Sequence, residues 1–353
     1  MSAASARLRV AVVGAGLGST PHFNSLADLA SEVEVAWVCA RNPERLAQAP
    51  APVGAARTTR LDDVLEDSSV QAVLILTPPN THLELARRAA SAGKHVLVEK
   101  PLEVTLEKAR ALVEACESQG VHAAVMLQHR MRPAAQALAK LLARGEMGEL
   151  VSGSASVRWW RPQSYYDEPG RGTWARDGGG VLMTQAIHTL DLFLQFTGLP
   201  LQVSGRVGTS PLHRMECEDT AAAVLHFPNG AIGTVEATTA AFPGYPERIE
   251  LNFSKGSATL QGGELKVSFL DGSSHSAGAA EGFGSGANVM GFDHAAHRAV
   301  LKDFLDAVRS GVAPTVSARS ALDVQELIQA IVDSSATGAP VSLSARALVH
   351  ARG

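Results

Sequence analysis

A parallel α/β sheet followed by an α+β domain is the architecture that this 353-residue sequence predicts, and three observations carry it. Residues 1–125 alternate short Val/Ile/Leu-rich runs with longer helical patterns, the signature of a parallel sheet with helices on both faces. After about residue 130, strand patterns follow one another directly, which points to an antiparallel sheet. Between the first strand and the first helix lies Gly14-Ala15-Gly16-Leu17-Gly18-Ser19.

Taken in order, the predicted strands of the first part are Arg9–Val13, Val33–Cys39, Ala72–Leu76, His95–Val98 and Ala123–Leu127. Helices are expected over Thr81–Ala92 and Leu106–Gln119, with Gly93 and Gly120 in the position that commonly ends a helix. Pro78 and Pro79 stop the third of these strands. The second part opens with helical segments at Pro133–Arg144 and Thr184–Phe196. Ala221–Phe227 and Ala231–Thr239 then read as a hairpin around Asn229-Gly230. Ile249–Phe253, Ser257–Gln261 and Leu265–Phe269 continue the sheet. Residues 271–291, rich in Gly, Ser and Ala, read as a mobile loop, and helices close the chain at His294–Arg309 and Ala318–Ser334. The predicted domains are therefore 1–125 and 126–353.

Composition bounds the function. The chain is 46% hydrophobic and 19% charged, as in an ordinary globular protein of about two domains. A net charge of −4 offers no basic face for nucleic acid or anionic lipid. No run approaches the roughly 18 apolar residues that span a bilayer. Cys39, Cys116 and Cys217 are odd in number and far apart, which fits reduced thiols in a cytoplasm.

The glycine segment has the context that a G-x-G-x-x-G dinucleotide loop requires, a strand before it and a helix after it. Gly14 allows the tight turn, Gly16 lets the backbone approach a pyrophosphate, and the helix N-terminus supplies amide donors. Ser19 stands where the usual pattern has Gly or Ala. At the end of the second strand, Ala40 occupies the position where a carboxylate would bind the ribose of NAD, and Arg41-Asn42 follow. A guanidinium there can fork onto a 2′-phosphate, so NADP(H) is the expected cofactor, with NAD(H) the alternative.

Two further strand exits carry chemistry. Thr77-Pro78-Pro79-Asn80-Thr81-His82 and Glu99-Lys100-Pro101 are expected to line the same crevice as the glycine loop. The cofactor-facing residues are thus Gly14–Ser19, Arg41, Asn42, Thr77, Pro78, Asn80, His82, Glu99 and Lys100, with Gln128 after the last strand. Lys100 can exchange a proton with a substrate hydroxyl as hydride moves. Gly178-Gly179-Gly180 precede a helix on which Thr184, His188, Asp191 and Gln195 fall on one face at α-helical spacing. On this reading His188 shares the proton transfer and Asp191 orients its ring. Arg130, Tyr166, Trp174, Thr184, Gln185 and His188 are the candidate substrate residues. Trp159-Trp160-Arg161 and Tyr165-Tyr166 fit either core packing or a stacking wall for a sugar ring. His294 and His297 share helical spacing, but no carboxylate or cysteine pattern makes a metal site of them. No nucleophile-elbow sequence suggests Ser/His/Asp hydrolysis.

At these residues the chain resembles the Gfo/Idh/MocA oxidoreductases along essentially its whole length. The resemblance rests on Gly14–Ser19 with His22, Thr77–His82, Glu99-Lys100-Pro101, Gln128–Pro133, the Gly178–Asp191 segment, and Glu218-Asp219-Thr220 through Ala231. It implies an N-terminal Rossmann domain and a C-terminal α+β domain with a large open, mainly antiparallel sheet. It also implies Lys100 and His188 as the catalytic pair, a sugar, polyol or cyclic alcohol as substrate, and a homodimer or homotetramer formed through the sheet. Many members carry Asp where Thr184 stands, so an Asp-assisted relay does not carry over. A dihydrodiol dehydrogenase and a non-catalytic dinucleotide sensor remain the alternatives.

Overall fold

The computed structural model describes residues 7–50, 52, 54–279 and 293–343. The chain forms two compact units, residues 1–128 with 293–322, and residues 129–292 with 323–353. A single boundary after residue 125 does not capture this division, because a helix from late in the sequence belongs to the first unit.

The first unit holds strands β1 (Leu8–Val13), β2 (Val33–Cys39), β3 (Ala56–Thr58), β4 (Ala72–Ile75), β5 (His95–Val98) and β6 (Ala123–Val125). They form one parallel sheet in the order β3-β2-β1-β4-β5-β6. Strand order reverses between β1 and β4, and the crevice outside the strand ends at such a reversal is where ligands bind in open α/β sheets. The central strands are closed off from solvent, with Val10, Val12, Leu74, Ile75, Leu97 and Val98 all at 0% exposure. Burial on both faces explains why they read as continuous apolar runs. β3 escaped the sequence reading: Ala-Arg-Thr carries no apolar run, and only Thr58 is buried.

Helices α1 (Thr20–Asp28), α2 (Pro43–Gln48), α3 (Leu61–Glu66), α4 (His82–Ser91) and α5 (Leu106–Ser118) connect these strands. Asn42 caps α2 by accepting the Arg45 N–H, and Thr105 caps α5 through the Lys108 N–H. Gly93 and Gly120 follow α4 and α5 with positive φ, as the sequence predicts.

The second unit is built from α6 (Pro133–Ala143), β7 (Leu150–Arg158), α7 (Gln163–Tyr166), α8 (Trp174–Asp177), α9 (Ile187–Thr197), β8 (Gln202–Gly208), β9 (Thr220–His226), β10 (Ile232–Thr238), β11 (Arg248–Phe253), β12 (Gly256–Gln261), β13 (Glu264–Phe269) and β14 (Ser274–Gly278). Helices α10 (Ala295–Ser310) and α11 (Ala318–Thr337) and strand β15 (Val341–Ser342) complete the chain. The nine-stranded sheet runs β14-β13-β12-β11-β7-β10-β9-β8-β15. It is antiparallel except for the β7–β10 pairing. The β9–β10 hairpin forms as expected, with Gly230 at φ +85°.

β7 and β8 are additions to the expected strands, since Ser and Gly dilute their apolar alternation. Gly153 of β7 lies under Phe193 of α9; a Cβ there would meet the ring at 3.0 Å and Leu251 at 2.9 Å. The small residue lets the helix close on the sheet. Part of the expected loop at 271–291 is instead β14, paired with β13, and its remainder from residue 280 lies outside the described residues. Helix α10 packs on α1 and β5. It buries Val300, Leu301, Phe304 and Leu305, and Asp28 joins it to α1 through His294 (2.9 Å) and Arg298.

Candidate functional site

In the first unit the exits of β1, β4 and β5 meet at one edge of the sheet. Gly14 sits at φ +111°, and a Cβ there would lie 2.7 Å from the carbonyl of Leu76, which follows β4. Only glycine fits, for both reasons. Gly16 and Gly18 face the other way: nothing lies within 4 Å of where their Cβ atoms would sit. The loop is therefore packed on one side and open on the other. Ser19 is buried and gives its hydroxyl proton to Gly16 O at 2.7 Å, tightening the turn. It does not cap α1, so the first amides of that helix keep no side-chain cap. An open glycine backbone beside a helix N-terminus fits the pyrophosphate of a dinucleotide.

His82 takes a different part from the one expected. It is fully buried, with Nε2 2.8 Å from Thr77 O and Nδ1 3.1 Å from both Pro101 O and Leu102 O. It ties the loop after β4 to the loop after β5 rather than presenting a ring to a cofactor. Burial holds it below the ordinary histidine pKa. Thr77 bonds Thr81 through their hydroxyls at 2.7 Å, and Pro78 and Asn80 are exposed beside them. Arg41 is exposed just past β2, and the side chain of Asn42 is committed to its helix cap.

Beside the glycine loop stands a cluster that the sequence does not reveal. His22 of α1, 1% exposed, lies with Nε2 2.5 Å from Glu99 Oε1. The second oxygen of Glu99 accepts the backbone N–H of Lys100 at 2.9 Å. His297 of α10 packs edge-on to His22, ring centroids 5.6 Å apart. Burial pushes the Glu99 carboxyl up, but the His22 bond and the nearby charges of His22, Lys100 and His297 outweigh it and hold the group at about 2. Burial, reinforced by His22, lowers His297 to about 4. The pairing of His294 and His297 at helical spacing was visible in the sequence; the partners of His297, far away in the chain, were not.

Among the described residues, His22, Glu99 and His297 are the one trio with donor atoms close enough, within 4.8 Å, to hold a metal ion. The trio fits a metal poorly. His22 Nε2 is already engaged by Glu99, and His22 Nδ1 has no hydrogen-bond partner, whereas a ligating histidine is normally oriented by one.

In the second unit, the three glycines bring a turn against Glu218. A Cβ on Gly180 would sit 1.6 Å from Glu218 O. The Glu218 carboxylate accepts the N–H groups of Gly180 (3.0 Å) and Leu182 (3.1 Å). Leu182–Ala186 then form a π-helical turn ahead of α9, so Thr184 departs from the α-helical spacing that put it in register with His188. Such turns recur at functional sites. Thr184 gives its hydroxyl proton to Gly180 O at 2.7 Å, and buried Gln185 donates to Tyr165 Oη at 3.2 Å.

His188 is 7% exposed and stacks on His129, centroids 4.9 Å apart. Asp191 does not carry the orienting role expected of it. Both its oxygens are taken by Arg130, Nε to Oδ2 at 2.7 Å and Nη2 to Oδ1 at 2.5 Å. Arg130, in turn, is a buried structural cation rather than a substrate-facing one. Tyr166 is also internal, 6% exposed and bonded to Thr239 at 2.6 Å. Of the aromatic candidates Trp174 remains accessible, 42% exposed at the start of α8. Gln128 closes the first unit with a buried Oε1 that has no hydrogen-bond partner.

With this geometry in hand, comparison with known proteins is specific. Residues 8–127 match the family model described as the oxidoreductase family with an NAD-binding Rossmann fold, and residues 135–259 match the GFO/IDH/MocA C-terminal domain. The chain is 28% identical over 230 residues to an uncharacterized oxidoreductase of Schizosaccharomyces pombe, covering 63% of this chain and 61% of that protein. It is 28% identical over 293 residues to the scyllo-inositol 2-dehydrogenase (NAD(+)) of Bacillus subtilis, covering 80% and 81%. The crystal structure of the WlbA dehydrogenase from Bordetella pertussis, in complex with NADH and UDP-GlcNAcA, superposes with a TM-score of 0.82 at 29% identity over 97% of this chain and 100% of that one. Matched in both halves, the chain belongs to the Gfo/Idh/MocA oxidoreductase family.

Proposed function

We propose that this protein is an NADP(H)-dependent oxidoreductase that interconverts a secondary alcohol and a ketone on a sugar, polyol or related cyclic substrate. One observation carries the reading: the open glycine loop and Lys100 share the strand-exit edge of one parallel sheet, linked by His22 and Glu99. The bound nicotinamide supplies the hydride acceptor. Lys100, as the neutral amine, takes the hydroxyl proton as the C–H bond breaks, and returns it in the reverse direction. His188 shares this proton exchange. The scyllo-inositol and UDP-sugar relatives support a ring alcohol as substrate.

The preference for NADP(H) rests on this chain's own residues. No carboxylate stands at the end of β2; Ala40 and the exposed Arg41 do. An acid there would repel a 2′-phosphate, and a guanidinium attracts it. The scyllo-inositol dehydrogenase is named for NAD(+) and the WlbA structure holds NADH, so the test is direct: NADP⁺ is expected to bind more tightly than NAD⁺, and Arg41→Ala to erase the difference.

The same reading includes a homodimer or homotetramer through the second unit's sheet. The outer face of that sheet exposes Val224 (40%) and Ile232 (51%) beside Ser, Thr and Ala, with the Arg158–Glu236 ion pair at one end. A charged residue at Val224 is expected to dissociate the assembly in light scattering.

The decisive experiment is a single turnover with pooled polyols, sugars and cyclic diols, following reduced nicotinamide. Lys100→Met is expected to abolish the signal while dinucleotide affinity stays near wild type. Turnover at the wild-type rate in that variant would overturn the assignment, and activity on a trans-dihydrodiol but on no sugar would move the substrate class.

A further inference from the structure

The link between the glycine loop and the lysine has its own consequence. His22 rises from the first turn of α1 and is almost closed off from solvent. Facing a carboxylate, it donates from Nε2, and its bare Nδ1 fits a position with no hydrogen-bond partner. Glu99 therefore has both oxygens fixed, one by the imidazole and one by the Lys100 backbone N–H. A carboxylate so held cannot turn to follow the ammonium of its neighbour. We propose that His22 is a positioning residue for Lys100, acting through Glu99, and that the fixed charge of Glu99 sets how tightly that lysine holds its proton. The inference deepens the role given to Lys100 above and rests on it.

The charged and titratable groups around this carboxylate come from four elements. His22 belongs to α1, His297 to α10, His82 to α4, and Lys100 follows Glu99 itself at the exit of β5. His297, at about 4, is neutral through the physiological range and packs edge-on against His22. Glu99 stays ionised throughout that range. An anion beside an amine favours the ammonium, which makes the base available only at higher pH.

The test separates charge from position. Glu99→Gln keeps the shape and removes the charge: its oxygen can still accept the Lys100 N–H, and its amide can donate to His22 Nε2 once the imidazole carries its proton on Nδ1. It is expected to move the lysine-dependent limb of the pH profile of kcat, measured in alcohol oxidation, to lower pH by about one unit. His22→Phe keeps the volume but releases the carboxylate, and is expected to lower kcat about tenfold or more at unchanged NADP⁺ affinity. His22→Gln, which restores a donor, recovers part of that loss. NADP⁺ binding by each variant shows that it is folded; should His22→Phe fail this check, the pH shift in Glu99→Gln decides alone. Wild-type kcat and an unmoved pH profile in these variants, with Lys100→Met inactive, would overturn the inference and leave the lysine's role standing. An active Lys100→Met would remove both.

Discussion

Each unit sets a carboxylate beside a residue proposed to move protons, Glu99 half-buried and Asp191 buried, and the two are handled in opposite ways. In the first, Glu99 is held at about 2: burial raises it, but His22 and neighbouring charges prevail. In the second, burial raises the Asp191 carboxyl above its ordinary value, against the pull of Arg130. Glu99 keeps contact with the reactive residue through the Lys100 N–H. Asp191 spends both oxygens on a guanidinium, and His188 leans on the His129 ring. One carboxylate tunes a neighbour; the other is anchored by a guanidinium.

The largest effect that sharpens this contrast is expected from Arg130→Met, which strands Asp191 as a buried anion. The cost is about 3–5 kcal/mol by urea unfolding at neutral pH, easing in acid as Asp191 takes up a proton. Adding Asp191→Leu should restore most of the stability, because an ion pair in an apolar site is often replaceable by packed side chains. If Arg130→Met alone is neutral, Arg130 does not hold Asp191 as a buried anion.

The pH dependence comes next. Glu99 has a depressed value, so its contribution is present above 4.5 and fades as pH falls toward about 2. Asp191 has a raised value, so its contribution is present below 3.8 and fades as pH rises. His297 is depressed from 6.5 to about 4, and the folded protein loses stability as pH falls across that window. Stability curves for Glu99→Gln should therefore converge on wild type in strong acid, while His297→Gln should flatten the wild-type loss between pH 6.5 and 4. Parallel curves in both variants would remove the contrast.

The smallest effect is at Thr184. Thr184→Val deletes the hydroxyl bonded to Gly180 O and should cost about 1 kcal/mol, read as a small fall in Tm. A larger loss would mean that the hydroxyl anchors the π-helical turn as a whole.

What was legible in the sequence was local. The glycine loop and Lys100 could be read because a buried strand running into Gly14 or Glu99-Lys100-Pro101 is a contiguous signal. The hairpin at Asn229-Gly230 was legible for the same reason. β7 and β8 were not, since their Ser and Gly residues are chosen for close approach to α9 and α11, as where Gly205 meets Ile331, and leave a weak alternation. The partners of His22, Arg130 and Asp191 were hidden by distance along the chain. Arg130 and Tyr166 lie in motifs that invite a ligand-facing reading, yet the fold turns both inward. The three cysteines, Cys39, Cys116 and Cys217, are all buried.

Helix α10 gives the molecule a timetable. The first unit takes its last apolar layer, Val300, Leu301, Phe304 and Leu305, from a segment translated after nearly the whole second unit, and Val316 then pairs its carbonyl with Val125. During synthesis at about 5–20 residues per second, the glycine loop emerges long before His297 can pack behind His22. A fragment ending at residue 128 would carry every motif of a dinucleotide domain and lack the wall on which one of its helices rests. Domain grafting from this chain has to take both pieces.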